Sequence, residues 1–92
     1  MDIQELRNQI DQVDDELVCL YIRRMELIRK VGCFKREHGI PVSDPEREKN
    51  LLNRVREKAG GVYEEEIQAF FGFLLSQSKN RQIMDGNPES RS

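Results

Sequence analysis

IQELRNQIDQVDDELVCLYIRRMELIRKVGCFK, residues 3–35, is the stretch that decides the fold. Its apolar residues fall at Ile3, Leu6, Ile10, Val13, Leu17, Leu20, Leu27, Val31 and Phe34, alternating steps of three and four with one interruption at Arg24. That is the heptad seam of a helix packing on other helices. No Pro or Gly precedes Gly32, and Gly39 with Pro41 supplies a stop, so the spacing predicts one helix over about residues 3–38 with Asp2 as N-cap. At 1.5 Å per residue such a rod is ~54 Å long, whereas a globule of this chain length has a diameter of only about 30 Å. Much of the helix must overhang its own chain. An intertwined homodimer is the simplest closed arrangement that covers it.

Downstream, HGIPVSDPEREKN (38–50) reads as a loop leading into a second helix. Asp44 before Pro45 is an N-cap followed by Pro at the first helical position, and Glu46 and Glu48 suit the positive helix end. This helix is predicted over about residues 45–58, with Leu51, Leu52, Val55 and Ala59 on one face and Gly60-Gly61 as its stop. A third begins near Tyr63, where Glu64, Glu65 and Glu66 fit a first turn, and runs to about Met84. Ile67, Phe70, Phe71, Leu74 and Leu75 form its apolar face. The expected fold is all-α: one long, one short and one medium helix over residues 1–84. DGNPESRS (85–92) is expected to be a disordered tail or the start of a linker.

Composition narrows what such a fold can do. Ninety-two residues make one domain, which excludes a two-domain enzyme with an interdomain cleft. Leu, Ile, Val and Phe are roughly 27% of the chain, above the ~20% below which a charged chain stays disordered. A net charge of −2 offers no basic footprint for nucleic acid. No apolar run approaches the ~20 residues of a membrane span, and the acidic start MDIQELRNQI is unlike a signal peptide, so a cytoplasmic protein is expected. Cys19 and Cys33 lie ~21 Å apart along one helix, beyond disulfide reach, and read as inert packing residues. With one histidine, His38, and no CxxC, no metal site is expected.

The chemistry lies in polar residues that interrupt apolar stripes. Arg24 sits in the seam between Leu20 and Leu27, where an unpaired charge would cost several kcal/mol. It is either a structural charge, setting register or pairing with Glu48, or part of a site. Lys35 follows about three turns later on nearly the same side. Glu48 shares the face of Leu51, Leu52 and Val55, and Ser78 and Gln82 turn the third helix's stripe polar. Three helices placing polar groups in their buried stripes point to a lined pocket. Its two cations, two neutral donors and one acceptor fit a small anion bearing carboxylates and a hydroxyl. Arg7 lies roughly 25 Å along the helix from Arg24 and could reach the same ligand only from a partner subunit. Without a nucleophile–base pair, phosphate loop or metal cluster, the set suits positioning and electrostatic stabilisation.

Arg7, Arg24, Lys35, Asp44, Arg47, Glu48, Ser78 and Gln82, on helices of these lengths, resemble the all-helical chorismate mutases. The likeness runs from about Leu6 to Gln82 through LRNQIDQVDDEL, RRMELIRKVGCFK and PVSDPEREKNLL, and fits a stand-alone enzyme or the N-terminal domain of a mutase–prephenate dehydratase fusion alike. It implies a homodimer with two equivalent sites, each turning chorismate into prephenate by a one-step Claisen rearrangement without cofactor. By this resemblance Arg24 and the partner's Arg7 grip the two carboxylates, and Lys35 and Gln82 donate to the ether oxygen. Glu48, with the backbone near Asp44, holds the ring hydroxyl, while Ser78 and Arg47 assist carboxylate binding. Lys35, Gln82 and Arg24 are thus the catalytic set. Some relatives carry Glu at the place of Gln82, where it must be protonated to donate. Tyr63 is an unusual start for the third helix in this family. Two other readings remain: an isochorismate-pyruvate lyase, a class generally lacking the acid at Glu48, and a non-catalytic helical dimerisation or regulatory module.

Overall fold

Three helices and no strand make up the computed structural model, which describes residues 2–86: α1 (Ile3–Glu37), α2 (Pro45–Ala59) and α3 (Glu64–Gly86). Each boundary has a local cause. Asp2 accepts from the Glu5 N–H at 2.8 Å while the Glu5 carboxylate accepts from the Asp2 N–H at 3.3 Å, a reciprocal capping box. At the other end of α1, Gly39 takes φ of 65°, its N–H donates to the Arg36 carbonyl, and the Ile40 N–H donates to the Lys35 carbonyl at 2.8 Å. This Schellman closure ends the helix at Glu37, one residue before the expected stop, because only a left-handed residue lets both bonds form. Asp44 caps α2 by accepting from the Arg47 N–H at 3.1 Å, with Pro45 behind it.

α3 starts at Glu64 without a conventional side-chain cap. Instead the Glu64 carboxylate reaches back to accept from the Gly61 N–H at 3.1 Å. Arg56 then ties the end of α2 to the start of α3, ion-pairing with Glu64 at 3.5 Å and donating to Gln68 at 3.3 Å. α3 continues to Gly86, past the expected end at Met84; the rest of the predicted tail lies outside the described residues.

α3 is the central element. It packs against both α1 and α2, and α1 and α2 do not pack directly on each other. Of the apolar face expected for α3, Leu74 is buried and Ile67, Phe71 and Leu75 are half-buried, whereas Phe70 is exposed, as is Phe73 beside it. The buried apolar core is Met25 of α1, Leu51 and Val55 of α2 and Leu74 of α3, and no side chain among the described residues is completely enclosed. Overall extents are 54 × 32 × 14 Å. The described chain is thus elongated and flat, its longest dimension set by α1.

Asp2 through Arg23 are all exposed, and with them the seam residues Ile3, Leu6, Ile10, Val13, Leu17 and Leu20. Cys19 is exposed as well, which corrects its expected packing role; Cys33 is half-buried, and neither is in a disulfide. No helix among the described residues is long and apolar enough to cross a membrane. Leu74, at 5% exposure, is where the central helix meets its neighbours. Leu74→Ala should lower unfolding stability by about 2–4 kcal/mol, read from the denaturant midpoint. A loss under about 1 kcal/mol would mean that α3 is not the packing centre.

Candidate functional site

The loop after α1 is wrapped around Lys35. The Lys35 carbonyl accepts from Ile40, and its Nζ donates to the Val42 carbonyl at 3.0 Å. Two hydrogen bonds from one residue thus fold residues 38–44 back over the end of α1 and deliver Asp44, Arg47 and Glu48 to it. Lys35 keeps the rest of its three-donor capacity, because the carbonyl uses one.

Three turns earlier on α1, Arg24 Nη1 donates to Ser78 Oγ at 2.5 Å, and Ser78 Oγ donates onward to the Leu74 carbonyl at 2.7 Å. Ser78 is 3% exposed, and its hydroxyl proton is committed to its own helix, so the oxygen faces Arg24 as an acceptor. The serine fixes the guanidinium. Arg24 does not pair with Glu48, which corrects that structural reading of the seam charge. Its pKa is lowered, first by burial and then by the Arg47 guanidinium, with Tyr21 acting the other way. Two guanidinium groups repelling each other at a partly buried position describe a place prepared for an anion.

Glu48 ion-pairs with Lys79 instead, Nζ to Oε1 at 2.9 Å. On the same stretch of α3, Gln82 is 6% exposed, and its Oε1 is buried without a hydrogen-bond partner. A buried unpaired carbonyl costs about 1–3 kcal/mol, so the amide is under-used within the chain. Its position depends on Gly32 of α1: a Cβ there would lie 3.1 Å from Gln82 Cα and 3.3 Å from its Cγ. Only a glycine lets the two helices approach this closely.

These groups surround one cavity of about 160 Å³. Arg24, Lys35, Asp44, Arg47, Glu48, Ser78 and Gln82 all line it, with Ile28, Val31, Val42, Leu51 and Leu75 as apolar wall. Seven of the eight residues singled out in the sequence converge there, and Arg7, on the exposed half of α1, does not. Lys79 joins them without having been singled out, although Leu75, Ser78, Lys79 and Gln82 share the 3,4 spacing of one helix face. Four cations against two carboxylates leave the lining with a surplus of two positive charges. A wider, more open groove of about 580 Å³ on α1, lined by Glu26, Arg29, Lys30, Cys33, Phe34 and Glu37, contains none of these residues.

Such a cavity can hold a small dianion and direct donors at it. The family model for chorismate mutase type II matches residues 6–83. A chorismate mutase of Methanocaldococcus jannaschii is 34% identical over 79 residues, covering 84% of this chain and 80% of that protein. A T-protein of Haemophilus influenzae is 44% identical over 61 residues, 63% of this chain but 16% of its own length. A bifunctional chorismate mutase/prephenate dehydratase of Aquifex aeolicus is 32% identical over 69 residues, 71% of this chain and 19% of its own. The chain thus spans less than a fifth of two of these relatives. No solved structure matches.

Gly32 gives the test of this geometry. In an open helix Gly→Ala gains about 1 kcal/mol. Here the new methyl must part α1 from α3, at about 1–3 kcal/mol. Gly32→Ala is therefore expected to lower stability by about 1 kcal/mol in chemical denaturation, whereas a gain would show that the close approach to Gln82 is not enforced.

Proposed function

The chain belongs to the chorismate mutase type II family, and from that premise we propose that it rearranges chorismate to prephenate in a site completed by a second copy of itself. The observation that carries the reading is the convergence of seven polar residues from three helices and the loop between the first two on a single cation-rich cavity. In the rearrangement the ether C–O bond breaks as a C–C bond forms within one molecule. Nothing is transferred to the protein, so the work is to hold the reactive conformer and stabilise charge growing on the ether oxygen.

Arg24, steadied by Ser78, takes one carboxylate, with Arg47 at the edge. Lys35 and Gln82 donate to the ether oxygen. Turning the Gln82 amide about its last torsion exchanges oxygen for nitrogen, so a group whose Oε1 has no partner can present either end. Glu48 accepts from the ring hydroxyl beside the backbone of Asp44. Removing one such donor typically costs about 10²–10³-fold in kcat. No cofactor is needed for this chemistry, and the cytoplasm, where both thiols stay reduced, suits it.

The second carboxylate falls to Arg7 of the partner subunit. Supporting this, α1 exposes its apolar seam from Ile3 to Leu20, and no described residue buries it. A two-fold pairing of α1 helices would bury that seam and carry each Arg7 toward the other chain's cavity.

Two measurements test the proposal. The purified chain should accelerate the loss of chorismate ultraviolet absorbance, nearly independently of pH around neutrality, and Gln82→Glu should shift activity to acid, because a carboxyl donates only when protonated. No acceleration over buffer would overturn the mutase reading, and a Glu variant as active as the parent at a pH of about 8 would remove the donor role. Separately, Arg7→Ala and Arg24→Ala chains, each inactive, should regain activity on mixing, since one site of the hybrid holds both arginines. Verified subunit exchange without recovery would refute the shared site.

A further inference from the structure

We propose that Lys79 is a positioning residue that acts through Glu48, neutralising its carboxylate so that an acid can serve inside a site for a dianion; this rests on the function proposed above. The cavity poses an electrostatic problem. A substrate with two carboxylates is drawn by Arg24, Lys35 and Arg47, yet Glu48 stands in the same lining as a like charge. Like charges a few ångströms apart in a partly dry cavity repel by an amount that shifts binding by an order of magnitude.

Lys79 removes the conflict from one side. Its Nζ lies 2.9 Å from Glu48 Oε1, and both side chains are partly shielded, at 39% and 23% exposure. With Oε1 engaged by the ammonium, Oε2 keeps lone pairs for a neutral hydroxyl. The pair also bridges α2 to α3, holding Glu48 at a fixed angle to the cavity. Lys79 belongs to the stripe that bears Ser78 and Gln82, so α3 presents three polar side chains with distinct tasks: holding Arg24, offering an amide, and screening Glu48.

A double-mutant cycle decides between this role and direct contact. Lys79→Met keeps the stem and removes the charge, and should raise KM for chorismate about tenfold with kcat changed less than about twofold. In a Glu48→Gln background the same change should raise KM by less than about twofold, because the carboxylate that Lys79 pairs with is gone. Lys79→Arg should stay within about threefold of the parent, since the positive charge is kept. An undiminished effect of Lys79→Met in the Glu48→Gln background would mean that Lys79 meets the substrate itself and would overturn the proposal. So would an unchanged KM in Lys79→Met, or a loss in Lys79→Arg as large as in Lys79→Met. Parental turnover separates the two readings: its absence fells the mutase function and this inference together, whereas turnover with any of the contrary results above overturns the screening role alone.

Discussion

A 35-residue amphipathic helix needs apolar cover along its whole length, and this chain supplies it only toward the C-terminal end. Buried and half-buried side chains on α1 begin at Arg24 and continue to Lys35; before that every described residue is exposed. The rest of the structure follows from this mismatch. α2 and α3 gather at one end of α1, and the place where residues of all three helices meet becomes the cavity. Where a compact domain would place its core, this one places a polar site, with a small apolar core of Met25, Leu51, Val55 and Leu74 beside it. Among the described residues nothing further covers the exposed half of α1.

The all-α fold, the three helices and most of the site were legible because helical period is a local property. Arg24 in a heptad seam, and Ser78 and Gln82 at the end of an apolar stripe, break a rule that can be checked residue by residue. Helix ends were legible to within a turn for the same reason: Asp44-Pro45 and Gly39 act through bonds to near neighbours. What spacing does not encode is who pairs with whom across helices. Glu48 had Arg24 and Lys79 as available cations, and only the approach of α2 to α3 selects Lys79. Lys79 carries no such signal in the sequence, because its role depends on where α2 approaches α3. The wrap of the loop around Lys35 depends likewise on a side chain meeting a carbonyl seven residues away.

The cavity is held in an unrelaxed state by the fold around it. Arg24 is partly desolvated beside Arg47, and Gln82 carries a buried oxygen without a partner. Each costs stability in the chain by itself, and each would be relieved by a ligand bringing negative charge and hydrogen-bonding groups. Gly32 and Ser78 keep these groups in place: the first sets the depth of the Gln82 helix against α1, and the second stops the guanidinium from swinging out to solvent. Withheld stability of this kind is the structural form that preorganisation takes.

The same logic explains why donors rather than titrating groups dominate the lining. A rearrangement within one molecule offers no proton to move, so a base would add only a charge that fluctuates with pH. Guanidinium, ammonium and amide groups supply hydrogen-bond donors without acting as a base. Asp44 and Glu48 are the two acids of the lining: Asp44 is engaged in capping α2, and Glu48 is ion-paired with Lys79. An acid so held would contribute geometry with little net charge, and the surplus of two positive charges in the lining would remain for an anionic ligand.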